Sequence, residues 1–240
     1  METKKSSVYV PTVFSTEDGR KTSSDIFSKL LENRIVMLTG EVEVDSMTVA
    51  ASEIMFLNSV DNQKPIFLYI DSPGGSVSAG LGGLIDIMQF VSAPVYTVAL
   101  GMAASMGAAI LSAGEPGHRY ALKSSQILVH PMSGGYNGRT VDNVAAINYE
   151  KRLNDYLDST IAFNCKQLTL EQYEEIKRIV QSEKIDDRKE NQVLKYSTST
   201  RNALNKFKNN NNFDHWMFPV EAQRFGIIDK ILTSEKDFQE

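Results

Sequence analysis

The sequence predicts an α/β fold in which short strands and helices alternate along the chain. Apolar runs at 35–38, 66–70 and 95–100 are typical of buried strands. Between them, apolar residues recur at helical spacing over 45–59 and 77–91. Because strands joined by crossover helices run in the same direction, the pattern indicates repeated βαβ units and a largely parallel sheet.

The composition is typical of one domain with a substantial core, because 42% of the 240 residues are hydrophobic. A net charge of −5 gives no basic surface, so we expect neither nucleic acid nor an anionic membrane as a partner. The sequence contains one cysteine, Cys165, and no apolar run long enough to cross a membrane. With no apolar targeting signal at the N-terminus, these features predict a cytoplasmic protein.

The N-terminal stretch 1–24 is polar with scattered apolar residues, and we expect a flexible arm there. A single domain is expected to fill 25–240 and to begin with a short amphipathic helix at 25–33. Near the other end, Pro219 predicts the start of a short helix that Gly226 closes.

Ser105 follows a strand-like run that starts at Val95 and turns at Gly101. The small residues beyond Gly101 favour a helix, which puts Ser105 at a strand-to-helix turn near the helix N-terminus. A serine nucleophile at such a turn is exposed, and the free N–H of Met106 faces an incoming carbonyl oxygen. A closely packed buried helix rich in Ala, Gly and Ser explains this segment equally well.

Two further strands end on residues suited to the same chemistry. The run 126–129 leads into His130, where an imidazole serves as general base toward a serine on a neighbouring turn. The run 66–70 leads into a glycine pair, whose second member, Gly75, offers a backbone N–H as another oxyanion donor. Since active sites gather at the carboxyl ends of parallel strands, we expect these residues to lie with Ser105. A core histidine and an ordinary tight turn are the alternatives.

Three motifs occur in a characteristic order: Tyr69-Ile-Asp-Ser-Pro-Gly-Gly75, Gly101-Met-Ala-Ala-Ser-Met-Gly107, and Val129-His130 with Gly134-Gly-Tyr-Asn-Gly138. Together they resemble the ClpP family, the peptidase components of the Clp proteases. The resemblance covers about 10–172 and about 213–232, and one local departure is that Pro131 follows His130 directly. It implies a ClpP/crotonase-like fold of repeated βαβ units with a projecting strand-helix handle.

The resemblance also implies roles for the residues already singled out. Ser105 attacks the scissile carbonyl, His130 moves the proton, and the N–H groups of Gly75 and Met106 hold the oxyanion. An apolar stripe predicts a helix at 140–163 capped by Thr140 or Asp142. The resemblance implies that this helix and a strand at 134–138 form the handle, about 131–164, with Gly134 and Gly135 beside bound peptide. A core-packed helix is the alternative. Phe67 and Tyr69 alternate on one strand, and the resemblance implies that they form part of a docking pocket for an unfoldase, with core packing as the alternative.

The third residue of the catalytic triad, an aspartate that orients His130, is harder to assign, because the chain departs from the family over about 179–212. Counting back without a gap from Gly226 assigns the catalytic aspartate to Asp214, two residues before Trp216. Counting forward from Gln172 arrives at Val180, which has no suitable side chain. The competing candidates are Asp186 and Asp187 inside the insertion, and Asn210.

These observations favour a serine endopeptidase that cleaves unfolded polypeptide inside a homo-oligomeric ring. The resemblance implies an AAA+ unfoldase as partner, and the chain has no Walker-type phosphate loop of its own. We expect no metal and no cofactor. The alternatives are a Ser-Lys peptidase using Lys123, a non-catalytic partner subunit, and, least favoured, an acyl-CoA enzyme of the crotonase type.

Overall fold

The structure is a computed structural model that describes residues 10–17, 20–135, 137–182, 185–188 and 194–238. Its strands are β1 (Thr12–Glu17), β2 (Arg20–Asp25), β3 (Ile35–Val42), β4 (Ile66–Gly75), β5 (Val95–Ala104), β6 (Arg119–Leu122), β7 (Gln126–Val129), β8 (His215–Met217) and β9 (Lys230–Leu232). Its α-helices are α1 (Ile26–Glu32), α2 (Val44–Val60), α3 (Asp86–Phe90), α4 (Met106–Ser112), α5 (Thr140–Asn164), α6 (Leu170–Val180), α7 (Thr198–Asn210) and α8 (Pro219–Phe225).

A seven-stranded sheet forms the centre of the described chain. β3, β4, β5, β6 and β9 pair in that order and run parallel. β7 pairs in parallel with the last residues of β5, and β8 pairs antiparallel with β7. The predicted α/β fold with a largely parallel sheet is confirmed.

The core forms where the strands meet α2 and α4. Alternate residues of β3 and β4 are fully buried, among them Val36, Ile66, Leu68 and Ile70. The buried face of α2 consists of the apolar residues that the helical spacing predicts: Met47, Ala50, Ala51, Ile54 and Leu57. Each large apolar side chain buried in this way stabilises the fold by about 1.5–3 kcal/mol.

The strand before Ser105 is longer than the sequence predicts. We expect a turn at Gly101, but β5 continues through it to Ala104. The continuation is stabilised on both sides, since the Met102 N–H donates to Asp71 Oδ1 at 2.9 Å and residues 102–104 pair with β7. The predicted helix over 77–91 also differs, because most of its first half is a π-helix (Ala79–Ile85), which continues as α3.

The described part of the N-terminal stretch forms a hairpin, where the sequence predicts a flexible arm. β1 and β2 pair antiparallel from Thr12–Asp25 to Glu17–Arg20. The N–H of Ile26 then donates to the carbonyl of Pro11 at 3.1 Å, which closes the base of the hairpin. Residues 1–9 and 18–19 of the predicted arm lie outside the described residues.

The helix predicted at 140–163 is present as α5, but its first turn has a different cap. The N-cap residue is Arg139, whose side chain makes no capping hydrogen bond and instead pairs with Asp142 at 2.8 Å. The expected capping by Thr140 or Asp142 is therefore wrong. At the other end of the chain, α8 begins at Pro219 and ends at Gly226, which is left-handed with φ +97°, as predicted.

The strand predicted at 134–138 is not assigned to any of its described residues, 134–135 and 137–138. A strand needs a neighbouring strand for its hydrogen bonds. No strand of the described chain pairs with this segment, since β7 already ends at Val129.

In the described part of the chain, no helix has the length and apolar character required to cross a bilayer.

Candidate active site

Ser105 lies between the last residue of β5 and the first residue of α4, at the predicted strand-to-helix turn. Its backbone has φ 55° and ψ −120°, a conformation that residues other than glycine rarely adopt. Such strain costs about 1–3 kcal/mol and persists only where the surroundings hold it. A sharp, strained strand-to-helix turn is the local structure that presents a serine nucleophile in hydrolases.

The glycine turn at the end of β4 packs directly against Ser105. Gly74 has φ +94°, and a Cβ placed on it would lie 2.6 Å from Ser105 Cβ and 2.9 Å from Met106 N. Only glycine allows this approach. Buried Ser72 shapes the turn from below, since its Oγ donates to the Gly40 carbonyl at 2.6 Å and accepts from the Gly74 N–H at 3.1 Å.

His130 follows the last residue of β7 and borders the same cavity as Ser105 and Gly75. The cavity has a volume of about 80 Å³. The three elements reach it from the carboxyl ends of β4, β5 and β7, as the parallel sheet predicts. Among the described residues, no hydrogen bond joins Ser105 Oγ to the His130 ring, and such bonds are often long before substrate binds.

The oxyanion candidates are adjacent to this cavity. Met106 is the first residue of α4, so its N–H has no acceptor within the helix. It lies beside the glycine turn, and Gly75 itself borders the cavity. The structure thus brings both candidates to the Ser105 turn.

Asp214 immediately precedes β8, on the strand that pairs with the histidine strand. Val129 is opposite His215 in this antiparallel pair, so the register puts Asp214 opposite His130 one step beyond the last pair. Asp214 is exposed, and among the described residues no hydrogen bond joins it to His130. The strand pairing brings the backbone of Asp214 beside that of His130, but in the described part of the chain no hydrogen bond holds the Asp214 carboxylate to the His130 ring.

The competing acids and amide lie elsewhere. Asp187 pairs with Arg152 of α5 at 2.6 Å, and Asp186 pairs with Arg188 at 3.0 Å. Asn210 is the exposed last residue of α7. Asp187 and Asp186 are thus engaged by arginines.

The alternative base, Lys123, is exposed in the turn between β6 and β7. This turn precedes β7, whereas His130 follows it, so Lys123 lies at the opposite end of the strand. Among the described residues that line the cavity there is no lysine.

The remaining cavity wall comes from residues that sequence analysis does not assign to the site. They border the cavity together with Ser105 and His130: Val77, Val129, Met132, Ser133, Leu157 and Ile161. Leu157 and Ile161 belong to the apolar stripe of α5, so its spacing signals burial without indicating a site. Gly134 and Gly135 are exposed and do not border the cavity, and Gly134 packs against the Glu150 carboxylate of α5.

Phe67 and Tyr69 lie in β4, well before its glycine turn, and both are half-buried. The Phe67 ring makes edge contacts with Tyr96 at 5.4 Å and with Phe238 at 5.5 Å between centroids. Burial raises the pKa of Tyr69, and the nearby Glu235 carboxylate raises it further. The two aromatics therefore belong to a partly exposed cluster on which Phe238, near the C-terminus, packs.

In a comparison with protein-family models, the chain matches the Clp protease family in two overlapping parts that cover residues 18–179 and 169–235. The parts overlap within α6, close to the point at which the sequence departs from the ClpP pattern. Together they span most of the chain, including Ser105, His130 and Asp214. The chain belongs to the Clp protease family.

Proposed function

We propose that this chain is a serine endopeptidase that hydrolyses peptide bonds of unfolded polypeptides inside an oligomeric chamber. The observation that carries the proposal is the strained turn at Ser105, which borders one cavity together with His130 and Gly75. Backbone strain of this kind is tolerated where the geometry serves a function. Membership of a peptidase family supports the same chemistry.

In the proposed mechanism, the Ser105 hydroxyl attacks the scissile carbonyl and His130 accepts its proton. The imidazolium then donates that proton to the leaving amine, which leaves an acyl-enzyme on Ser105 that water hydrolyses. The N–H groups of Met106 and Gly75 stabilise the negative oxygen of each tetrahedral intermediate. Asp214 accepts a hydrogen bond from His130 and stabilises the imidazolium.

The cavity wall supports a preference for apolar side chains next to the scissile bond. Val77, Leu157 and Ile161 surround the space beside Ser105 with hydrocarbon, and the described residues that border it include no Asp, Glu, Lys or Arg. An apolar side chain gains free energy on entering such a space, whereas a charge entering it loses hydration. The glycines Gly134 and Gly135 then accompany the peptide backbone in our proposal.

We further propose that the chain assembles into rings and receives substrate from an AAA+ unfoldase. Family membership supports both steps. The exposed aromatic edge formed by Phe67 and Tyr69 is our candidate for unfoldase docking.

The function is tested with purified protein, a fluorogenic peptide bearing an apolar residue before the scissile bond, and a matched peptide with aspartate there. We expect hydrolysis of the first peptide, slower hydrolysis of the second, and sedimentation as a species much larger than the 26.7 kDa chain. A well-folded oligomer that cleaves neither peptide would favour the non-catalytic subunit. A monomer at micromolar concentration would contradict the chamber.

A further inference from the structure

Helix α7 contacts the handle helix α5 through a partly buried group of charges. The Lys208 ammonium of α7 contacts the Asp155 carboxylate and lies 3.7 Å from Asp158 Oδ2. Tyr196, just before α7, donates from its hydroxyl to Asp155 Oδ2 at 2.6 Å. Lys208 therefore provides the positive charge that faces two carboxylates of α5.

Asp158 is connected through Asn154 to the side of α5 that borders the cavity. Asn154, one turn earlier, donates from Nδ2 to Asp158 Oδ2 at 2.8 Å. The other end of the same amide, Oδ1, accepts the backbone N–H of Met132 at 3.3 Å. Met132 comes two residues after His130 and borders the cavity with it.

The orientation of Asn154 depends on the charge of Asp158. An ionised carboxylate only accepts hydrogen bonds, so it holds the Asn154 NH₂ group toward itself and leaves Oδ1 for Met132. Asp158 is 8% exposed, and this burial, opposed by the charge of Lys208 and aided by that of Asp155, raises its pKa to about 6. Loss of Lys208 would therefore raise the pKa of Asp158 further, and a protonated Asp158 can donate a hydrogen bond, which leaves the Asn154 amide free to turn over.

We propose that Lys208 is a positioning residue for the candidate active site, acting through Asp158 and Asn154 on the backbone of Met132. It keeps the segment that follows His130 against α5, so that the cavity wall and the histidine hold their relative position. For its effect on catalysis, this inference rests on the proposed function.

The test compares Lys208→Met with Lys206→Met, which removes an exposed lysine from the same helix. Asn154→Ala removes the acceptor for Met132 directly, and Lys208→Arg keeps the positive charge. For each variant, amide hydrogen exchange is measured in a peptide covering 131–135, together with kcat and KM for peptide hydrolysis, the unfolding midpoint and the sedimentation coefficient.

We expect exchange in 131–135 to rise roughly fivefold in Lys208→Met and in Asn154→Ala. We expect kcat/KM to fall about tenfold in both, since misplacement of a wall element weakens positioning of the substrate. Lys206→Met and Lys208→Arg should resemble the wild type. The variant with both Lys208→Met and Asn154→Ala should be no worse than Asn154→Ala alone, because residues that act in series are not additive.

Unchanged exchange in Lys208→Met would overturn the inference, as would additive effects in the double variant. A further outcome is that Lys208→Met has a lower unfolding midpoint but normal exchange, kcat and KM at temperatures where it is folded. That result would show a merely structural role and would also overturn the inference. Should Lys208→Met fail to fold, Lys208→Gln, which also removes the positive charge, takes its place in every comparison. If the wild type proves inactive, the proposed function fails, while the exchange data still decide this inference.

Discussion

The backbone N–H of Ser105 donates a hydrogen bond to the carbonyl of Leu128 at 2.9 Å. Leu128 comes two residues before His130 on β7, so this bond links the strained turn to the strand that carries the histidine. The bond holds the nucleophile turn against the end of β7, which His130 directly follows. Backbone hydrogen bonds therefore set the spacing of the two residues before any side-chain bond forms.

Ser105→Ala and His130→Ala should each abolish peptide hydrolysis while leaving the fold intact. The double variant should be no worse than either single one, because residues that act as a unit are not additive. Ser133→Ala is the matched control, since Ser133 borders the same cavity and has no proposed role. Steady-state kinetics and circular dichroism check this prediction, and appreciable turnover by Ser105→Ala would rule out the serine mechanism.

Asp214→Asn should lower kcat by up to about 10⁴-fold without loss of fold, the size of the effect in the serine-protease triad. The amide keeps the shape of the carboxylate but loses its charge and favours the wrong histidine tautomer. Asp187→Asn and Asn210→Ala are the comparison variants, because Asp187 is engaged by Arg152 and Asn210 ends α7. If Asp214→Asn keeps full activity while one of the comparison variants is inactive, the residue that orients His130 comes from the segment 179–212.

Phe67→Ala and Tyr69→Ala should reduce ATP-dependent degradation of a folded substrate far more than hydrolysis of a short peptide. Both side chains lie on the partly exposed aromatic cluster, away from the Ser105 cavity. Phe238→Ala uncovers Phe67 and should strengthen binding of the unfoldase. Parallel loss of both activities together with a lower unfolding midpoint would instead assign the two aromatics to the core.

Asp229→Asn should lower the free energy of unfolding by about 3 kcal/mol at neutral pH, since it leaves the buried Arg119 guanidinium without its bidentate partner. Burial pushes the pKa of Asp229 upward, but the hydrogen bonds and charge of Arg119 outweigh it and hold the pKa below its usual range. A carboxyl whose folded-state pKa is lowered stabilises the fold above its unfolded pKa and loses that effect as pH falls through the folded value.

The difference between wild type and Asp229→Asn should therefore be full at neutral pH and shrink below about pH 4. Urea denaturation across this range measures it. Asp142→Asn serves as control, because its partner Arg139 is exposed, and it should change the free energy of unfolding by less than about 1 kcal/mol. A pH-independent loss for Asp229→Asn would show that the pKa argument is wrong.

The sequence predicts the elements whose side-chain pattern is local. The buried face of α2 follows from its helical spacing, and the turn at Ser105 follows from an apolar run that gives way to small residues. The four-residue strand β6 escapes prediction because it opens on Arg119, a charge that becomes acceptable in the core only when Asp229 packs beside it. Such a partner, distant in sequence, leaves no local signal.

The candidate site divides in the same way. Ser105, His130 and Gly75 can be found because each follows an apolar run that predicts a strand. The far wall of the cavity, Leu157 and Ile161, depends on how α5 packs across the sheet, and its spacing is that of any buried helix face. The position of Asp214 follows from the pairing of β8 with β7, and a three-residue strand has too short a pattern to predict.

Labelling with a fluorophosphonate tests the central claim most directly, because the reagent reacts with an activated serine hydroxyl and requires neither a peptide substrate nor an unfoldase. The wild-type protein is treated, digested and analysed by mass spectrometry, with His130→Ala and Ser133→Ala alongside. We predict one adduct per chain on Ser105, unchanged in Ser133→Ala and greatly slowed in His130→Ala. A well-folded, assembled wild-type protein that remains unlabelled, or carries the adduct on another serine, would contradict Ser105 as the nucleophile.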